Sequence, residues 1–152
     1  MKITLLLAEA AQAINGKLYI LGGGWSLMSP EPSPMAIAVR IEIPWDEANK
    51  RHRLRFELVD EDGRAVMGMT PDGERAVEIT AEFEVGRPAG LRPGTPLGVA
   101  LAFTIGALPL KTETRYVWRC TIDGIASEDW QVGFATRFKG PAGRQGPAIE
   151  RG

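Results

Sequence analysis

The chain has 152 residues, of which 24% are charged and 44% hydrophobic, with a formal net charge of -1. That balance is ordinary for a globular protein and argues against a general nucleic-acid binder, which would be basic. The length fits one domain, and the single cysteine excludes an internal disulfide.

The first residues bear a faint likeness to a signal peptide: Lys2, an apolar run from Ile3 to Ala8, then Ala11-Gln12-Ala13. Glu9 ends that run too early for a secretory core. No run approaches the ~18 apolar residues that cross a bilayer. These readings predict a cytoplasmic protein with no membrane partner.

Ile3 to Ile14 and Lys17 to Leu21 read as one long hairpin around Asn15-Gly16. Asn-Gly tolerates positive φ at both centres of a type I′ turn, whose twist matches paired strands. Ile14 should then oppose Lys17. Leu7, Ala11, Ala13, Leu18 and Ile20 fall on one face; Leu6, Ala10, Tyr19, Leu21 and Trp25 fall on the other. Both are largely apolar, which predicts cover on both sides. Gly22-Gly23-Gly24 follows with neither a helix nor a lysine behind it, so a bulge suits it better than a phosphate cradle.

Pro30, Pro32 and Pro34 predict an extended, ladder-free crossover between sheets. Leu27 and Met28 belong to this same connection, Ser26 to Pro34, which should lie on the surface, and are candidate partner contacts. Met35 to Ile43 alternates strictly, as a half-buried strand does. Pro44 to Lys50 allows one short helical turn. Leu54, Phe56 and Leu58 mark the next strand, Asp60 to Gly63 a turn, and Arg64 to Met67 a returning strand before a loop around Pro71. Further inward rows are Val77 to Val85, Val99 to Ile105, Tyr116 to Ile122, and Trp130 to Thr136. Asp123-Gly124 is a turn between the last two.

About eight or nine strands with turn signals between them predict an all-β antiparallel sandwich. Residues 1–138 form that single domain, and residues 139–152 read as a flexible tail without apolar periodicity.

No catalytic set emerges. His52 sits among Lys50, Arg51, Arg53 and Arg55, which predicts a solvent-facing imidazole whose protonation is disfavoured. Cys120 shares parity with Tyr116 and Trp118 and reads as a quiet core residue. One His and one Cys cannot build a zinc site of the usual kind. Asp60-Glu61-Asp62-Gly63 fails the calcium-loop pattern because Pro71 stands where a glutamate is needed. No metal and no cofactor is expected.

Gly16-Lys17-Leu18, Gly22 to Trp25, Ile43-Pro44-Trp45-Asp46, Tyr116-Val117-Trp118 and Ile122-Asp123-Gly124 together resemble an uncharacterised family of small bacterial β-sandwich proteins, often actinobacterial. The resemblance spans the chain apart from its tail and implies fold and bacterial origin only. The residues therefore predict a non-catalytic binding or self-assembly module whose partner is another protein or a second copy. The alternative is a small-ligand or carbohydrate-binding sandwich using Trp25 and Trp45 as a platform.

Overall fold

A computed structural model describes residues 1–29, 31 and 33–138. The tail expected at residues 139–152 lies outside the described residues, as do Pro30 and Pro32.

Among the described residues there are twelve strands and one 3-10 turn, Trp45–Glu47. They are β1 Lys2–Ala8, β2 Ala10–Ile14, β3 Lys17–Leu21, β4 Leu27–Met28, β5 Met35–Ile43 and β6 His52–Asp60. Then come β7 Met67–Thr70, β8 Gly73–Ala76, β9 Glu78–Phe83, β10 Leu97–Ile105, β11 Arg115–Ile122 and β12 Ile125–Thr136. A three-stranded sheet, β1-β5-β10, faces a five-stranded sheet, β4-β12-β11-β6-β9. All pairs are antiparallel except β4 with β12. The protein is an all-β sandwich.

Alternation builds the core. Met35, Ile37, Val39, Ile41 and Ile43 of β5 are fully buried, opposite Leu54, Phe56, Leu58, Trp118, Cys120 and Ile122. Phe56 meets Phe103 edge to face across the sheets, with ring centroids 5.8 Å apart, a favourable arrangement for two aromatic quadrupoles. The outward partners along β6 and β9 are charged: Arg55 holds Glu78 at 2.7 Å and Glu57 at 2.9 Å.

The outer face of the three-stranded sheet carries small residues instead. Ala8, Ala36 and Ala38 are buried there against Ala11 and Leu18 of the β2–β3 hairpin, with Leu6 and Ala102 packed alongside. Alanines let the hairpin backbone come close, so it covers a second, thinner apolar layer.

Here the structure corrects the sequence reading. Ile3 to Ile14 is not one strand: the chain turns a corner at Glu9, so that β1 pairs with β5 while β2 pairs with β3. The corner is fixed by backbone hydrogen bonds. Glu9 N–H donates to the Leu21 and Gly22 carbonyls (3.0 and 3.2 Å), and Gly24 N–H to the Leu7 carbonyl (2.7 Å). The glycines permit this approach, since a Cβ on Gly22 would stand 2.7 Å from the Glu9 side chain. The hairpin is consequently covered on one face only.

Three smaller differences follow from pairing. Leu27 and Met28 are not ladder-free but add a short parallel strand beside Ala135 and Thr136. Ala65 makes only a single bridge to Val59, and β7 instead pairs with β8 around Pro71, where Gly73 takes φ +110°. The last strand starts at Ile125 rather than Trp130, with its register shifting opposite Arg119 and Thr121.

Candidate functional site

The β2–β3 hairpin is built as predicted at its tip. Asn15 and Gly16 take φ of 50° and 75°, and Ile14 opposes Lys17. Cross-strand partners share a face, so Ala11, Ala13, Leu18 and Ile20 form one row and Ala10, Gln12, Ile14, Lys17, Tyr19 and Leu21 the other. The first row turns toward the alanine layer. The second faces outward, leaving Ile14 47%, Tyr19 55% and Leu21 71% exposed. A shallow hollow of about 370 Å³ at the open end of the hairpin is bordered by both rows: Ala10, Gln12, Tyr19 and Leu21 of the second, Ala11 and Ile20 of the first. This is apolar surface on a stiff two-stranded ribbon, the kind that marks contact with other macromolecules.

A second constellation is buried. The sequence reading put His52 in solvent; the structure places it 2% exposed, stacked on Phe83 at 5.3 Å between ring centroids. Its Nδ1 lies 2.7 Å from Asp123 Oδ2, and its Nε2 lies 3.0 Å from the Glu47 carbonyl oxygen. Both nitrogens thus face acceptors, and only the imidazolium donates to both. Burial by itself opposes that charge and is the largest single influence. The Asp123 hydrogen bond, the Glu47 carbonyl and the charges of Asp123 and Glu47 together outweigh it and raise the pKa. Asp123 moves the opposite way, lowered first by the Arg53 N–H, which donates to its Oδ1 at 2.8 Å, and then by His52.

The expectation of a disfavoured imidazolium is therefore corrected. The neighbouring cations on β6 point elsewhere, whereas an aspartate distant in sequence points in. His52 shares parity with Leu54, Phe56 and Leu58, and that was the signal available to place it inside. Nothing in the sequence joins Asp123 to it.

The chain's matched span is the deciding comparison: the sequence model of a family of unknown function covers residues 3–133. The protein belongs to that family, DUF6941. No curated protein and no solved structure matches it.

In this DUF6941 chain the other candidate residues are dispersed. Leu27 is 55% exposed, but its neighbour Met28 is 7% exposed and packs in the core. Trp25 is half-buried, edge-to-face with Phe134 at 5.6 Å, and lines a groove of about 220 Å³ with Glu9, Leu27 and Pro34. Trp45 lies at the other end of β5, beside Met1, Lys2 and Pro96. Its ring carries the Arg87 guanidinium at 4.7 Å, and Arg87 donates to the Trp45 carbonyl at 2.7 Å. The structure does not bring the two tryptophans together.

Cys120 is buried and its pKa is pushed up to about 12 by desolvation. Asp60 Oδ1 accepts from the N–H groups of Asp62 and Arg64, at 2.9 and 3.0 Å, as a turn aspartate does. Among the described residues, no group of three or more His, Cys, Asp or Glu is placed to hold a metal. Among them, too, no helix is long and apolar enough to cross a membrane.

Proposed function

We propose that this DUF6941 member is a non-catalytic binding module, bacterial and cytoplasmic, that works by associating with another protein. The observation that carries this reading is the outward row of the β2–β3 hairpin, where Ile14, Tyr19 and Leu21 stand in solvent on a hydrogen-bonded two-stranded ribbon. Tyrosine offers large contact area at little cost in side-chain freedom, which suits a contact surface.

The buried His52–Asp123 pair supports the non-catalytic reading. Both ring nitrogens are engaged, by Asp123 and by a carbonyl, and no hydroxyl or thiol bonds to the ring among the described residues. An imidazole whose two nitrogens are both occupied by acceptors has no nucleophile within reach to activate. The alternative, a ligand platform on Trp25 and Trp45, draws less support: Trp45 already stacks Arg87 and Trp25 already meets Phe134.

The double change Tyr19→Lys with Leu21→Lys tests the reading. The outward row faces solvent, so the melting temperature should stay close to wild type. Proteins cross-linked to the wild-type chain in its native cell should be lost from the variant. Recovery of the same cross-linked proteins with the variant would overturn the assignment of this face.

A further inference from the structure

The two facing sheets have four edges, and three are protected. The β1 edge closes toward the opposite sheet, its Cα atoms coming within 8 Å of β12. The β4 edge is only two residues long. The β9 edge carries Glu78 and Glu82, each with an arginine, Arg55 and Arg51, within 4 Å. Short edges, charged edges and closure are the usual means of preventing strand addition.

The fourth edge is neither short, charged nor closed against the opposite sheet; the β2–β3 hairpin lies over its outer face, with Cα atoms within 8 Å and Ala102 packed beneath it. β10 is nine residues, Leu-Gly-Val-Ala-Leu-Ala-Phe-Thr-Ile, without a charge or a proline. It pairs only with β5, and among the described residues no other backbone group bonds to it. Among the described residues, alternate N–H and C=O groups along its far side therefore have no backbone partner. Its inward row is also incompletely covered: Val99, Leu101 and Phe103 are only partly buried, whereas the facing residues of β5 are sealed. The Arg40 guanidinium lies over its outer face, 3.2 Å from where a Cβ on Gly98 would stand.

We infer that β10 pairs antiparallel with β10 of a second copy, about a twofold axis through Leu101, fusing two three-stranded sheets into one. The sequence of the strand selects that register. A twofold axis normal to the sheet keeps each residue on its face, so paired positions must have the same parity. Centring on Leu101 uses the whole strand and sets Leu97 against Ile105, Val99 against Phe103, Gly98 against Thr104 and Ala100 against Ala102. Bulky meets bulky on the core side, with a β-branched residue opposite an aromatic one, and small meets small outside. A strand bearing charge would repel its own copy in this arrangement; this one has none. The proposal concerns a different strand from the hairpin face and stands or falls separately.

Sedimentation of the full chain over a concentration series tests it. The expected species has twice the monomer mass of 16.5 kDa. Ala100→Glu should shift it to monomer while keeping a cooperative melt. Because an added charge there could disturb folding, Ala100→Cys gives an independent reading. In the proposed register the two introduced thiols lie about 8 Å apart on the outer face, whereas Thr104→Cys would place its pair about 20 Å apart. A short bis-maleimide should link the first and not the second; native Cys120, buried with a raised pKa, does not compete. The Tyr19→Lys, Leu21→Lys variant should remain dimeric. A monomer at every concentration, a folded Ala100→Glu dimer, a linked Thr104→Cys pair, or dissociation by the hairpin variant would overturn the proposal. So would a chain ending at Phe138 that dimerises when the full chain does not, since the edge would then belong to residues 139–152.

Discussion

Two hairpins in this protein are closed by the same local chemistry and do different work. Asn15-Gly16 joins β2 to β3 with φ of 50° and 75°; Asp123-Gly124 joins β11 to β12 with φ of 53° and 78°. Both are type I′ turns with the residue before each turn opposite the one after it. The first hairpin lies over an alanine layer and presents its far face to solvent. The second stands in the middle of the five-stranded sheet, and its turn aspartate reaches back to hold a buried histidine and the Arg53 N–H. A turn sequence therefore sets backbone geometry, while the strands around it decide whether the turn is a tip or a strut.

The largest expected difference between the hairpins is in packing. Trp118→Ala in β11 empties a fully buried site and should cost ~3–5 kcal/mol. Leu18→Ala in β3, half-buried against alanines, should cost roughly 1 kcal/mol. Chemical denaturation of both variants checks this, and equal losses would mean the β2–β3 layer is as much core as the sandwich interior.

Next comes the side chain of the turn. Asp123→Ala leaves the buried His52 N–H without its acceptor, at ~1–3 kcal/mol, and also removes the acceptor of the exposed Arg53 N–H, which water can replace. Asn15→Ala removes only tolerance for positive φ, about 1 kcal/mol. If the two variants melt together, the His52–Asp123 contact contributes nothing beyond the turn.

The glycines should be more alike. Nothing lies within 4 Å of a Cβ on Gly16 or Gly124, so each Gly→Ala change meets only the backbone cost, roughly 1–2 kcal/mol. A smaller loss for Gly16→Ala by global denaturation, with faster amide exchange in β2 and β3, would show that the first hairpin opens on its own.

The smallest effect is in pH. The His52 pKa is raised above 6.5, so its contribution is fully present below about pH 6.5 and is lost as pH rises through the folded value. The Asp123 pKa is lowered below 3.8, so its contribution is present above about pH 4 and is lost as pH falls through the folded value. The melting temperature of wild type minus that of His52→Gln should therefore be widest between about pH 4 and 6.5 and shrink on either side. A flat difference would mean that His52 is held neutral. Neither Asn15 nor its hairpin should add any such dependence.

Much of this was legible in single residues. Strict alternation placed Met35 to Ile43, Leu54 to Leu58 and Tyr116 to Ile122 on their faces, because the side-chain period of a strand is two wherever it pairs. The Asn-Gly and Asp-Gly turns were legible because positive φ is a property of the residue itself. The single 3-10 turn at Trp45 followed from its proline and acidic start. Of the candidate surfaces, Leu27 was rightly read as exposed, while Met28 was not separable from it by composition.

Tertiary structure decided what depends on a distant partner. The break at Glu9 arises because β1 finds β5 and β2 finds β3, a competition among strands that local propensity does not rank. The charge state of His52 depends on an aspartate 71 residues away, against the sign suggested by the arginines beside it in the chain. That no described strand pairs with the far edge of β10 is likewise invisible in its sequence, which reads the same for a central strand as for a border one. Local sequence determined how each segment bends and which way its side chains point; only the assembled sheets determined which of those side chains and backbone edges were left facing water.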